Sequence, residues 1–279
     1  MTQSSALQDF VERRRRLFVL TGAGCSTPSG IPDYRDAEGR WKRTARPVTY
    51  QAFLRDDVTR RCYWARSVIG WRRFRAARPN ATHGALARLE AMGGSELLLT
   101  QNVDRLHQAA GSAKVIDLHG RLDLVRCLAC GRRTPREALQ QELERRNPGW
   151  AARDGASAPD GDADLDGADF ASFSVPSCLH CGGVLKPDVV FFGESVPRER
   201  VDEAMRRLDE ADAMLIVGSS LMVYSGYRFV EKAACMGKPI AAVNLGLTRA
   251  DALLQLKVEA PCEQALGFLL GPQADNLRG

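Results

Sequence analysis

Leu17-Phe18-Val19-Leu20-Thr21-Gly22-Ala23-Gly24-Cys25-Ser26-Thr27 is the stretch that decides the fold. An uninterrupted apolar, β-forming run enters Gly-Ala-Gly directly, the pattern of a buried parallel strand ending in a tight turn. That is the setting of a phosphate-binding loop, in which Gly22 and Gly24 would let the backbone approach a pyrophosphate with no Cβ in the way. The third glycine of G-x-G-x-x-G is missing, because Thr27 holds its place. A phosphate loop and a plain strand–helix turn are therefore equally good readings of this stretch alone. The next residues, Ser29-Gly30-Ile31-Pro32-Asp33-Tyr34-Arg35, are not helix-like, so the chain is expected to loop over its ligand.

Working outward, residues 214–217 run into Gly218-Ser219-Ser220, and residues 240–243 run into Asn244-Leu245-Gly246. Residues 97–100 end at Gln101-Asn102, and the shorter 115–118 ends at His119. Helical patterns at 82–92, 198–210 and 227–236 alternate with these strands. Such alternation predicts an α/β fold with a Rossmann-like doubly wound parallel sheet, whose ligands bind beyond the carboxyl ends of the strands. Two stretches interrupt the pattern. Residues 36–80, rich in arginine and aromatics, predict a helical cover segment. Residues 121–185 carry four paired cysteines and a loop from 147 to 176 rich in Asp, Gly, Ala and Pro. The expected domains are 1–35, 81–120 and 186–279 for nucleotide binding, the 36–80 insert, and a smaller zinc-binding domain at 121–185.

Cys127/Cys130 and Cys178/Cys181 form two Cys-x-x-Cys knuckles, each followed by glycine (Gly131, Gly182). Four thiolates complete a tetrahedral zinc site with no open position, so the metal is expected to be structural. A redox pair is the weaker alternative. Asp160, Asp162, Asp164, Asp166 and Asp169 lack the calcium-loop spacing and read as an acidic loop.

With 279 residues, 44% hydrophobic and 26% charged, the composition is that of a soluble globular protein. No apolar run approaches the roughly 20 residues that span a bilayer, and no signal-peptide core precedes the first strand, so a cytoplasmic protein with no membrane partner is expected. A net charge of +5 suits an anionic ligand and gives little reason to expect direct nucleic-acid binding. Eight cysteines in such a chain argue for thiols and metal instead of disulfides.

His119 at a strand end can accept a proton near neutrality, whereas His83, His107 and His180 read as structural. Gln101, Asn102 and Asp104 place two amides and a carboxylate at another strand end, where ligand binding and helix capping are both open. Lys186-Pro187-Asp188-Val189-Val190-Phe191-Phe192-Gly193-Glu194 reads as a short extended segment, open either to peptide pairing by strand addition or to core burial.

Taken together these residues resemble the sirtuins, NAD-dependent protein deacylases. The resemblance rests on Gly-Ala-Gly-x-Ser at 22–26, Gly-Ile-Pro-Asp-Tyr-Arg at 30–35, Thr-Gln-Asn-Val-Asp at 100–104, Leu-His-Gly at 118–120, the 186–194 segment, Gly-Ser-Ser-Leu at 218–221 and Val-Asn-Leu-Gly at 243–246. These motifs run in order over nearly the whole chain. The resemblance implies NAD across Gly22, Ala23 and Gly24, with Asp33, Tyr34 and Arg35 near the nicotinamide end. It implies Gln101, Asn102 and Asp104 around the nicotinamide ribose, and Gly218, Ser219, Ser220, Asn244, Leu245, Gly246 and Cys262 around the adenosine half. His119 would be the general base, with Asn102 and Asp104 also catalytic. Val190, Phe191, Phe192, Gly193 and Glu194 would hold an acyl-lysine peptide. The products would be nicotinamide, free lysine and O-acyl-ADP-ribose.

Asn147-Pro148-x-Trp150, residues 158–162 and Tyr224-Ser225-Gly226-Tyr227 resemble the class II branch. Tyr34 and Ser225 depart from the commoner phenylalanine and proline at positions bordering the acyl-lysine channel. Tyr63 and Arg66 have the Tyr-x-x-Arg spacing of the desuccinylating branch, where an arginine fork pairs a carboxylate on the acyl chain; simple packing of this helix on the sheet is the even alternative. A mono-ADP-ribosyltransferase using the same NAD site is the nearest rival function. A noncatalytic zinc module and a small-molecule dehydrogenase fit less well, since the insert is acidic and the ribose-binding acid after the glycine loop is missing.

Overall fold

The structure, a computed structural model, describes residues 3–34, 36–38, 40, 42, 47–153, 161–163, 165 and 169–271. Its elements in chain order begin α1 (Gln3–Glu12), β1 (Leu17–Thr21), α2 (Tyr50–Arg55), α3 (Asp57–Phe74), α4 (Ala81–Ala91), β2 (Ser95–Thr100), α5 (Leu106–Ala109) and β3 (Val115–Asp117). They continue with β4 (Gly120–Cys127), β5 (Arg133–Pro135), α6 (Arg136–Arg146), α7 (Pro148–Ala151), β6 (Leu185–Val189) and α8 (Arg198–Glu210). The last are β7 (Ala213–Val217), α9 (Tyr224–Cys235), β8 (Ile240–Val243), β9 (Leu256–Val258) and α10 (Cys262–Ala265). All five strands expected from the apolar runs are present.

The chain divides into two compact units, Met1–Lys42 with Arg78–Leu118 and Val196–Gly279, and Arg43–Ala77 with His119–Ser195. The first holds a six-stranded sheet in the order β3-β2-β1-β7-β8-β9, and every neighbouring pair is parallel. Both faces are covered, and the period of two along each strand shows how. Leu17 and Val19 of β1, Leu215 and Val217 of β7, and Ala241 and Val243 of β8 pack with Leu7 and Phe10 of α1 and Leu86 and Leu89 of α4. The alternate residues, Phe18, Leu20, Met214, Ile216, Ile240 and Ala242, pack with Ala204 and Leu208 of α8 and Phe229, Val230 and Ala233 of α9. The chain leaves β1 toward β2 on one side and β7 on the other, so the turn after β1 lies at the switch point where open α/β sheets bind ligands.

The second unit corrects the three-part division expected from sequence. The helical cover 36–80 and the cysteine segment are not separate bodies, because Phe53, Tyr63, Trp64, Val68 and Ile69 share one apolar core with Val125, Leu139, Leu143 and Phe191. Nor does the 186–194 segment join the parallel sheet, since β6 pairs antiparallel with β4 in a three-stranded β5-β4-β6 sheet. Much of the acidic loop, Asp160, Asp164 and Asp166 included, lies outside the described residues. Among those described, no helix is long and apolar enough to cross a membrane.

A charged group sits inside the second core. Arg136, at the start of α6, is fully buried between Trp64 and Trp71, with its guanidinium carbon 5.3 and 5.2 Å from their rings. Nη2 reaches Ser67, whereas Nε and Nη1 have no hydrogen-bond partner. Burial pulls its pKa down to about 10, so it stays charged at neutral pH. A buried cation with two unmatched N–H groups is weak support for a fold. Arg136→Met, of similar length, is expected to leave the free energy of urea unfolding unchanged or raise it by up to ~3 kcal/mol. A large loss would mean that the two ring contacts outweigh desolvation.

Candidate active site and metal cluster

The turn after β1 is built by close approach to the turn after β7. Gly22 N–H donates to Val217 O at 3.2 Å, and Gly24 N–H donates to Gly218 O at 2.9 Å. A Cβ on Gly24 would lie 2.9 Å from Gly218 O, one on Gly22 would lie 2.7 Å from Ser219 Cβ, and one on Gly218 would lie 2.5 Å from Cys25 N. These glycines are therefore required by two loops locking together, a reason the sequence reading did not supply. Two short 3-10 turns, Ala23–Cys25 and Thr27–Ser29, follow in place of a long helix, as expected.

Asn102 and Asp104, beyond β2, converge on this loop through Ser26. Ser26 Oγ donates to Asp104 Oδ2 at 2.6 Å, and Asn102 Nδ2 donates to Gly22 O at 3.0 Å and to Ser26 Oγ at 3.1 Å. Asp104 also takes Leu106 N–H at 2.9 Å through Oδ1, at the first residue of α5, while its Oδ2 faces the loop. Burial raises the Asp104 carboxyl above its usual range, against the lowering effect of Ser26 and Leu106. Gln101 Nε2 donates to Ser219 Oγ at 2.7 Å, which ties the ends of β2 and β7 together. Asn80, just before α4, supports the loop from behind by donating to Cys25 O at 2.8 Å and Ser29 Oγ at 2.9 Å. Sequence reasoning left Ser26 and Asn80 out of the site; the serine inside the Gly-Ala-Gly-x-Ser motif was the available signal for the first.

Beyond β8, Asn244 Nδ2 bonds Leu245 O and Gly246 O, and Gly246 (φ 81°) lies against Ala37, where a Cβ would meet Ala37 O at 2.2 Å. Lys42 Nζ donates to Asp33 Oδ1 at 2.5 Å, and Lys42 N–H to Tyr34 O at 3.0 Å. Arg35 lies outside the described residues. Cys262 is buried at the start of α10, close enough to Cys25 for the two thiols to share a hydrogen bond that, with burial, drives the Cys25 pKa upward. His83 and His107 are fully buried with rings 4.7 Å apart, and His107 Nε2 lies 2.9 Å from Thr21 Oγ1. Both are structural, as expected, and burial takes His83 down to about 4.

In the second unit, half-buried His119 is held through its backbone, where His119 O accepts Val190 N–H at 2.7 Å. Gly120 beside it adopts φ 84°, and a Cβ there would meet Asp188 O at 2.1 Å. The extended segment expected over 186–194 stops at Val189, and residues 190–194 curl. Buried Lys186 reaches Val189 O and Glu194 Oε2 (2.9 Å), Phe191 N–H donates to the same Oε2 at 2.9 Å, and Phe192 O accepts Tyr50 N–H. A salt-bridged carboxylate thus caps the curl, and its desolvated ammonium partner is held below the usual lysine range by burial. Phe191 packs on Phe53 and Tyr63, each with centroids 5.2 Å apart. Tyr63 is therefore core, while Arg66 Nε donates to Ala163 O at 2.9 Å and its guanidinium lies 3.9 Å from Asp162.

The four Sγ atoms of Cys127, Cys130, Cys178 and Cys181 all lie within 4.8 Å of one another, with Cys127–Cys181 at 3.5 Å and Cys130–Cys178 at 3.9 Å. Zinc bonded to four sulfurs at roughly 2.3 Å sets tetrahedral edges of about 3.8 Å, so the donor set fits a structural zinc. Each knuckle closes with a glycine N–H on the first cysteine's carbonyl, Gly131 to Cys127 at 3.0 Å and Gly182 to Cys178 at 2.8 Å. Backbone N–H groups of Cys130 and Ala129 pull the Cys127 thiol down to about 6, favouring the thiolate that binds metal. Cys181→Ser is expected to lose the bound zinc measured by elemental analysis and to weaken the fold by on the order of 3 kcal/mol or more. Equal stability with metal stripped would show that the cluster holds nothing together.

Asp104 offers a second test. Its folded pKa is raised, so ionisation weakens the fold as pH climbs from the unfolded value, about 3.9, to the folded one. Asp104→Asn is expected to keep or raise the melting temperature at about pH 7.5 and to show no gain near pH 3, where the native acid is also neutral. Destabilisation at the higher pH would mean that the charge itself holds the loop.

The pattern of the Sir2 family matches residues 22–225. The chain is 68% identical over 267 residues to an NAD-dependent protein deacetylase of Xanthomonas campestris pv. campestris, covering 96% of this chain and 91% of that protein. It is 48% identical over 265 residues to the NAD-dependent protein lipoamidase sirtuin-4, mitochondrial, of Bos taurus, covering 94% and 84%. A solved structure of Sir2 with a p53 peptide and NAD+ superposes with a TM-score of 0.75 at 30% identity, covering 97% of this chain and 98% of that one. With the ordered motifs, the parallel sheet and the four-cysteine cluster, these likenesses make the chain a member of the Sir2 family, the sirtuins.

Proposed function

We propose that this chain is an NAD-dependent protein lysine deacylase that consumes NAD, the acyl-lysine and one water and releases nicotinamide, free lysine and O-acyl-ADP-ribose. The observation that carries the reading is the Ser26–Asn102–Asp104 network. A carboxylate kept in a desolvated place by a serine and a backbone N–H is an arrangement that weakens the fold and belongs to a reacting site. The names of the relatives, deacetylases and a lipoamidase, support the same class of reaction.

NAD supplies an electrophilic ribose carbon. In this reading the residues of the chain do the rest. Gly22, Ala23 and Gly24 would line the pyrophosphate, Ala23 offering its backbone N–H and the two glycines, whose N–H groups are taken by Val217 O and Gly218 O, a backbone with no Cβ in the way, with Ser219, Ser220, Asn244 and Gly246 serving the adenosine half. Asn102 and Asp104 orient the nicotinamide ribose. Val190, Phe191 and Gly193 present the peptide, and the Lys186–Glu194 pair keeps their curl rigid. His119 would take the proton from a hydroxyl of the bound ribose, which requires its imidazole neutral. Arg66, already facing Asp162, is poorly suited to a charged acyl chain, so an uncharged acyl group fits this chain better than a carboxylate-tipped one.

Mass spectrometry of the products from NAD and acyl-lysine peptides tests the proposal. Wild type is expected to yield O-acyl-ADP-ribose and to favour acetyl- over glutaryl-lysine. His119→Ala is expected to lose about 10²–10⁴-fold in kcat with the zinc retained. ADP-ribose attached to protein in place of the acylated product would assign the chain to ADP-ribosyl transfer.

A further inference from the structure

The start of α9 carries a surface that the deacylase reading does not use. Tyr224, Tyr227 and Arg228 stand at i, i+3 and i+4, so they share one face of the helix. Arg249, from the loop after β8, folds over that face with its guanidinium carbon 4.3 Å from the Tyr227 ring and 5.6 Å from the Tyr224 ring. Arg228 lies 5.7 Å from Tyr224 on its own side. The two tyrosine rings are 6.5 Å apart and tilted by 55°. Two cations and two aromatic faces thus form one ladder.

The ladder is built, and it is open. Arg249 N–H donates to Ser220 O at 2.9 Å, which anchors the loop, and Leu221 N–H donates to Ser219 Oγ in the turn that leads into α9. Tyr224 is 54% exposed, and Leu245 and Leu247 beside Arg249 in sequence are exposed as well. Among the described residues neither Arg228 nor Arg249 has a carboxylate within 4.0 Å, although the chain is laced with such pairs elsewhere. The carboxylate nearest Arg249 in sequence, Asp251, is taken by Lys257 at 2.8 Å and by Thr248. Arg249 is exposed, whereas Arg228 is half-buried with its Nε shielded from solvent, so a ligand would meet Arg228 through its Nη groups. A guanidinium stacked on an aromatic ring is held in place and partly desolvated while its N–H edge stays free for a planar anion.

We propose that the Tyr224–Tyr227–Arg228–Arg249 ladder is a docking surface for acidic residues, Asp or Glu, that flank the acyl-lysine in a protein substrate. The proposal rests on the deacylase reading; Ser225, between the two tyrosines, is the position that the family resemblance sets beside the acyl-lysine channel. Charge complementarity selects the partner: two fixed cations with no carboxylate partner among the described residues suit a carboxylate, and bidentate arginine–carboxylate pairs are the stronger charge-assisted bonds. The site would discriminate among target proteins by the charge of their flanking sequence, without taking part in the reaction.

The test compares three acetyl-lysine peptides that differ only in acidic, neutral or basic flanks, by turnover and by fluorescence anisotropy of the labelled peptides. Wild type is expected to favour the acidic flank by about five- to twentyfold in kcat/KM, carried by KM. The Arg228→Ala/Arg249→Ala double variant should lose that preference while the neutral peptide and the KM for NAD stay within twofold. Arg249→Glu should turn the preference toward the basic flank. Equal handling of all three peptides by wild type, or equal losses on all three in the variants, overturns the surface. A shifted KM for NAD would assign the arginines to the cofactor, and an altered oligomeric state in the variants would assign them to a second copy; either result also overturns it. Failure of every peptide to turn over would sink the deacylase reading instead, while anisotropy would still decide the docking surface.

Discussion

The meeting of two tight turns, Gly22–Cys25 after β1 and Gly218–Ser219 after β7, is the constraint on which the first unit depends. Each glycine there leaves less than 3 Å for a missing Cβ, so the contact tolerates no side chain on either wall. The parallel register of β1 with β7 brings Thr21 opposite Val217 and delivers both turns at the same level. Once they lock, the loop offers its remaining backbone groups and Ser26 to whatever lies beyond the strand ends. Gln101 and Asn102 reach the same place from β2, which is why a Thr-Gln-Asn run far away in sequence belongs to this turn.

The second unit solves a different problem. Its three-stranded sheet is too small to bury a core alone, and it relies on aromatic side chains and a four-cysteine cluster. Phe53, Tyr63 and Phe191 make the contact between the helical segment and the curl at 190–194, so the insert from the N-terminal half is part of the platform that presents that curl. Within the curl, burial of Lys186 against Glu194 replaces the strand hydrogen bonds that end at Val189. A desolvated ion pair of this kind adds little net stability, but it fixes one geometry, because breaking it would strand a buried ammonium.

Charge is placed unevenly between structure and function. Glu96, Glu142 and Glu203 are each matched by arginines and held below the usual carboxylate range by those bonds or by the charges beside them. Asp104 is moved the other way by burial, and among the described residues Arg228 of α9 and Arg249 of the loop after β8 have no carboxylate within 4.0 Å. Under the proposals made above, these two departures from the surrounding pattern of paired charges are where the chain would meet other molecules.

Much of this architecture is legible without coordinates. Apolar runs ending in Gly, Asn or Ser mark parallel strands, since a strand buried on both faces has no polar side and must stop abruptly; β1 and β8 fall where the runs predict, and β2 and β7 begin only one or two residues earlier. Paired cysteines with trailing glycines mark a metal knuckle because the turn chemistry is local. Tertiary contacts decided the rest. They showed that Gly22 and Gly24 serve loop packing, that Ser26 completes the Asp104 site, and that residues 43–77 belong with the cysteine segment. They also set Arg66 against Asp162, and Arg249 onto two tyrosines of a distant helix. Each of those outcomes depends on which side chain arrives from far along the chain. A pattern of neighbours in sequence carries periodicity and turn chemistry, but it does not carry the distance between atoms that only folding brings together.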